Sequence, residues 1–146
     1  MKTIAQELIQ TTDAAAAKLR AVSPGDAALR RGPGRWSKKE IIGHLIDSAA
    51  NNHQRFVRAQ HTANFAFPNY EQEHWVMNQD YETAEWPQLV EFWLSYNHHL
   101  AHVITRIPKE KLALYCTIGD DEPVTLGFLV EDYLRHLQHH LAQAGV

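Results

Sequence analysis

No stretch of this chain approaches the ~18 consecutive apolar residues of a membrane-spanning helix, although 45% of its 146 residues are hydrophobic. Those residues are spread along the whole length, which excludes a disordered chain and fits one domain with a single core. The first residues, MKTIAQELIQ, carry acidic and amide groups where a secretion signal needs an apolar run. The expectation is a cytoplasmic protein that does not enter a membrane. Cysteine is nearly missing. Cys116 stands alone, so neither an internal disulfide nor a thiolate zinc cluster can form. It lies in a weakly patterned segment with no evident base beside it, which argues against a nucleophile. Basic runs are short as well: Arg30-Arg31, Arg35 and Lys38-Lys39 are separated by Gly32, Pro33 and Gly34, and the net charge is −3. That is a poor footprint for nucleic acid and leaves a small-molecule substrate as the expected partner. Internal repeats and low-complexity linkers are absent too.

Histidine, by contrast, is abundant. The chain has 10, and two groups stand out, His98/His99/His102 and His136/His139/His140. With thiolates excluded, imidazole must do most of the ligation if a transition metal is bound.

Four helical segments can be read from apolar spacing and boundary signals. The first runs from about Thr3, where Thr3 and Gln6 match a capping box, to Val22, where Ser23-Pro24-Gly25 stops it. The second starts after Ser37, with Glu40 completing a capping box, and continues to about Gln60. An aromatic-rich loop, Thr62 to about Glu82, follows; it holds Phe65, Phe67, Tyr70, Trp75 and Tyr81, too many for a solvated linker. The third helix runs from near Thr83 to Pro108, with Pro87 in its first turn. Residues 112–125 read as a small hairpin or an irregular excursion. Thr125 then caps a fourth helix that reaches about Gln143. None of these helices buries its apolar face alone, so the expected fold class is all-α, a four-helix bundle.

Helical phase separates the two histidine groups. His98 and His102 are one turn apart, but they share a polar row with Glu91, Ser95 and Arg106, opposite the stripe of Phe92, Trp93 and Tyr96. That row reads as solvated surface. His99 is nearer the stripe but has no partner at the right spacing. His136 and His140 are also one turn apart, and they fall beside Leu129 and Tyr133 on the edge of an apolar arc. His139 points away, next to Asp132 and Arg135. A pair at this spacing can converge on one ion or make ordinary core-edge hydrogen bonds. Helix two offers a third imidazole: His44 lies in a row with Asp47, Ser48, Asn51 and Arg55. Such a row usually faces water, but its short polar groups, with no lysine or glutamate beyond Glu40, suit a cleft slightly better than open solvent.

Several stretches together resemble a known family. Trp36-Ser37, Gly43-His44-Leu45-Ile46-Asp47-Ser48, Asn51 and Arg55-Phe56 resemble helix two of the DinB-like superfamily, closest to its YfiT branch. That branch contains metal-dependent proteins, among them bacillithiol S-transferases. Thr125-Leu126, Asp132-Tyr133 and His136-Leu137-Gln138-His139-His140-Leu141-Ala142 are similar to the last helix of the branch, and Tyr70 and Trp75 fit its loop between helices two and three. The resemblance covers nearly the whole chain. It implies a divalent transition metal, nickel or zinc, held by His44, His136 and His140, with positions left open. Bundles of this family often pair, which makes a homodimer an expectation. One departure stands out: Gln143 occupies a place where the thiol-transferase relatives tend to have a further histidine.

Such an ion would make a bound water or thiol more acidic, which points to hydrolysis or to S-transfer with a low-molecular-weight thiol as co-substrate. Asp47 is the candidate catalytic base. Asn51, Arg55, Tyr133 and Trp75 are the candidate substrate-binding residues. The alternatives are a non-catalytic metal-binding or stress-associated bundle, and a helical interaction module in which the three histidines need not meet. Ordinary imidazole titration would place acid release of the ion near pH 6.

Overall fold

Capping chemistry places the helices in the computed structural model, which describes residues 1–146. Helix α1 spans Lys2–Arg20 and has Met1 at its N-cap, so Thr3 lies inside the first turn and makes no cap, contrary to the capping-box expectation. Ser23-Pro24-Gly25 does follow its end. The same segment also opens a short helix, α2 (Pro24–Ala28), because the Ser23 hydroxyl accepts the Asp26 N–H and Pro24 stands in the first turn. Helix α3 spans Lys38–Arg58 and starts at the Ser37/Glu40 capping box read from the sequence. Glu40 N–H donates to Ser37 Oγ (3.2 Å), and Ser37 N–H donates to Glu40 Oε2 (2.8 Å).

The aromatic connection after α3 is structured. It forms strand β1 (Phe65–Phe67), helix α4 (Gln72–Gln79) and a 3-10 turn at Tyr81–Thr83. Helix α5 follows at Trp86–Arg106, with Pro87 in its first turn. The Trp86 indole N–H reaches the carbonyls of Leu19 (3.2 Å) and Val22 (3.1 Å), tying the start of α5 to the end of α1. After a 3-10 turn at Lys109–Ala113, residues 115–125 make the hairpin of β2 (Tyr115–Ile118) and β3 (Val124–Thr125). Strand β1 joins β2 in parallel, Phe65 beside Cys116 and Phe67 beside Ile118, so the two irregular parts of the sequence meet in one small sheet. Each strand is too short to show a pattern of its own. Helix α6 (Leu126–Ala144) is capped by Thr125, which accepts the Phe128 N–H (3.1 Å), and ends at the left-handed Gly145.

The four long helices, α1, α3, α5 and α6, form the expected bundle. Its core includes Leu8, Leu19, Phe56, Trp93, Leu100 and Leu137, all fully buried. Each buried side chain of this size stabilises the fold by roughly 1.5–3 kcal/mol.

One packing detail bears on the site. Gly43 lies in the middle of α3, and a Cβ placed there would stand 2.1 Å from Cδ2 of Tyr81. Lys39 holds the turn around Tyr81 by donating to the carbonyls of Glu82 (2.9 Å) and Ala84 (2.8 Å). Gly43→Ala is therefore expected to destabilise the protein by about 2 kcal/mol. Overpacking costs ~1–3 kcal/mol, loss of the Tyr81 hydrogen bond described below costs a similar amount, and the helix preference of alanine returns only ~1 kcal/mol. The urea midpoint reads this directly, and an unchanged midpoint would show that the ring moves aside without cost.

Candidate metal centre

Helices α3 and α6 pack side by side in the bundle and bring His44, His136 and His140 together, although His44 and His136 are 92 residues apart in the chain. His44 Nε2 lies 3.3 Å from His136 Nε2, and His140 Nε2 lies 3.1 Å from the same atom. One ligand nitrogen from each residue falls within 4.8 Å of the others. The Trp36 ring, one residue before the α3 cap, covers His44 at 5.0 Å and His140 at 6.5 Å, forming an apolar wall.

His44 is fully buried, and its Nδ1 has no hydrogen-bond partner. Burial, followed by the neighbouring His140 and His136, lowers its pKa to about 3. Burial likewise lowers His136 to about 4, and lowers His140 from the ordinary imidazole range. All three rings are therefore neutral at pH 7, the form in which imidazole can ligate. Gln143 Oε1 stands 2.8 Å from His140 Nδ1 and can hold the proton there, which leaves the Nε2 lone pair free. The departure noted in the sequence thus orients one of the three rings. Ser48 Oγ lies 3.5 Å from His136 Nδ1.

The donor set fits a transition ion. Nitrogens ~2.0–2.1 Å from one tetrahedral ion stand roughly 3.3 Å apart, and the Nε2 atoms of His44 and His140 stand 3.3 and 3.1 Å from that of His136. Three mutually facing imidazole nitrogens cannot all be satisfied by hydrogen bonds to each other, since each neutral Nε2 either donates or accepts. A shared cation satisfies all three at once.

Asp47, the candidate base, is only 1% exposed rather than solvated. Tyr81 donates to its Oδ1 (2.6 Å), and Gln79 Nε2 donates to the same oxygen (2.7 Å), while Oδ2 is buried without a partner. Burial pushes the carboxyl up, and the two hydrogen bonds act against that shift. Asn51 donates to the Asp47 carbonyl (2.9 Å), so its amide N–H serves its own helix. Arg55 is buried on the same face of α3. The Tyr133 hydroxyl donates to Asn97 Oδ1 (2.6 Å) between α6 and α5, which commits its one proton to the core instead of to a bound oxyanion. Trp75 is 38% exposed on α4, edge-on to Tyr70 at 5.3 Å. A cavity of about 500 Å³ opens beside His140, and from α4 it is Gln72 and Glu73 that line it, together with Arg35, Trp36 and Gln143. Its volume suits a small molecule.

Sequence reasoning gave no site role to Gln79, to Tyr81 of the aromatic loop or to Trp36, which stands in the stretch that carries the resemblance. The available signal was Gly43, a glycine inside a strongly patterned helix, which marks a close approach by another part of the chain. The second histidine group stays apart from the site. His98 pairs with Asp13 at 2.7 Å on the surface, His102 is exposed, and His99 lies against His53 at 5.0 Å. His139 is exposed beside Gln143. Cys116 is buried with its thiol pushed up by burial, and its Sγ lies 3.7 Å from the Val124 carbonyl.

A mostly helical bundle whose α3 and α6 carry one and two converging imidazoles defines a recognisable class. The chain belongs to the DinB superfamily, whose family model matches residues 7–144. A solved structure with the same fold is that of YfiT from Bacillus subtilis, described as a probable metal-dependent hydrolase with an unusual four-helix bundle topology. The two share 20% sequence identity, and the match covers 97% of this chain and 83% of that one with a TM-score of 0.82. No curated protein matches the chain. None of its helices is long and apolar enough to cross a membrane.

Proposed function

We propose that this protein is a metal-dependent enzyme acting on a small molecule, with His44, His136 and His140 holding one divalent ion, nickel or zinc. The observation that carries the reading is the convergence of three neutral imidazoles, with His136 Nε2 3.3 and 3.1 Å from Nε2 of His44 and His140 and one ligand nitrogen of each within 4.8 Å of the others. When bound, such an ion polarises a carbonyl and lowers the pKa of water or a thiol toward neutrality. Hydrolysis is the reaction we favour, in keeping with the description of the YfiT neighbour. S-transfer with a low-molecular-weight thiol would use the same acidifying effect.

The chain's own residues then have distinct tasks. Gln143 orients His140, and Trp36 keeps water from one side of the imidazoles. Asp47 accepts a proton: Tyr81 and Gln79 hold its Oδ1, leaving Oδ2 as the free acceptor. A carboxyl raised by burial is closer to neutral pH, where general-base catalysis is most effective. The substrate enters through the cavity beside His140.

The test is turnover of a panel of activated esters, amides and lactones in water, and of alkyl halides with added thiols, by protein loaded with nickel or zinc. Asp47→Asn is expected to keep its metal and lower kcat by roughly 10²–10⁴. Full metal content with no turnover on any substrate class would instead indicate a binding protein. An Asp47→Asn protein as active as the parent would remove the role given to that carboxylate.

A further inference from the structure

Arg55 differs from the other arginines that make close polar contacts. Arg20 pairs with Glu91, Arg30 with Glu40 and Glu82, and Arg135 with Asp132, each arginine at the surface. Arg55 is 8% exposed and belongs to none of these ion pairs. Its side-chain hydrogen bonding is a single long contact, Nη1 to Asn52 Oδ1 at 3.5 Å. The one carboxylate that acts on it, Asp132, is the weakest of its influences and is bonded to Arg135. Most of its five N–H donors have no protein partner, and none of its unpartnered nitrogens is among the polar atoms shut off from solvent, so they remain open to a ligand.

Its surroundings lead back to the three histidines. Asn52 Nδ2 lies 3.4 Å from Ser48 Oγ, and Ser48 Oγ lies 3.5 Å from His136 Nδ1. Residues 48, 52 and 55 are one helical turn apart on a single face of α3. We propose that Arg55 is the binding site for a carboxylate of the substrate, whose reacting group lies at the imidazole triad reached through Asn52 and Ser48. This proposal rests on the enzymatic reading above and names the substrate class for the same site. The planar guanidinium fork matches a carboxylate bidentately. One cation balances one negative charge, so a monoanionic carboxylate fits where a phosphate dianion would leave charge uncompensated.

The test uses the full chain, zinc-loaded and metal-free, titrated with propionate and separately with inorganic phosphate, and followed by amide and arginine Nε–H NMR signals. Propionate is expected to saturate shifts at Arg55 Nε–H and at Ser48 and Asn52 in both forms. Binding should weaken at least tenfold in Arg55→Met, which keeps its zinc and helical signal, and less in Arg55→Lys. Because the guanidinium lacks a counter-ion, Arg55→Met should also raise the urea midpoint of the ligand-free protein. A midpoint that falls, with propionate affinity unchanged, would make Arg55 a structural residue and overturn the proposal. So would absence of saturable propionate binding, or phosphate binding through Arg55 in its place. The metal-free titration decides the carboxylate site even if the protein proves to hold no metal.

Discussion

Purified His136→Ala protein is expected to carry less than a tenth of the divalent metal of the parent chain. The His98→Ala/His102→Ala double variant should keep its full content. Both pairs have the same sequence spacing, so the contrast isolates position. His136 Nε2 is the central atom of the triad, in contact with both His44 Nε2 and His140 Nε2. Removing it leaves two imidazoles, and an ion that prefers a closed donor set is lost to a mild chelator. His98 is engaged by Asp13 at the surface and has no second imidazole facing it at ligand distance. Elemental analysis after dialysis reads the result. If the double variant loses metal while His136→Ala keeps it, the site has been assigned to the wrong helices.

The choice between these pairs was legible in the sequence because burial follows helical phase. His136 and His140 lie at the edge of the arc formed by Leu129, Tyr133, Leu137 and Leu141, while His98 and His102 lie opposite the buried face of Trp93, Leu100 and Ile104. The Ser37/Glu40 box and the Thr125 cap were legible for a similar reason: each is a local bond between residues three apart. Less could be read where the decisive contact is distant. The row of His44, Asp47 and Arg55 carries the polarity of a surface, and what packs over this helix is α6, Trp36, α4 and the Tyr81 turn. The helix α4 and that turn come from the aromatic segment, whose β1 also pairs with β2 of residues 115–125 and joins Phe65 to Cys116. No local pattern announces a parallel pair of strands 3 and 4 residues long. Tyr133 shows the reverse case. Its phase next to His136 suggested a donor for substrate, but a buried phenol needs a partner of its own, and Asn97 on α5 provides it.

Chelation is expected to lower the melting temperature of the loaded protein by roughly 5–10 °C while leaving the helical signal at room temperature intact. An ion bound only by the folded state stabilises it by about 2.7 kcal/mol when free metal is a hundredfold above Kd, and each kcal/mol shifts Tm by ~2–4 °C at this chain length. The 31-residue apolar core does not involve the ion, so the metal-free protein stays folded. Acid should act in two ways. In the metal-free protein, unfolded imidazoles take up protons near pH 6.5, whereas folded His136 does so at about 4 and His44 at about 3. Between pH 6.5 and 3 the unfolded chain therefore binds more protons, and stability falls as pH falls, by up to about 1.4 kcal/mol per pH unit for each such histidine. The same depression protects the ion. Protons compete for His136 and His44 in the folded protein only near pH 4 and below, so loss of metal should come at lower pH than the value near 6 that ordinary imidazoles would set. Following bound metal and ellipticity together through an acid titration separates the two effects. A melting temperature indifferent to chelator and to added metal, measured on protein verified to be loaded, would mean that no ion links α3 to α6.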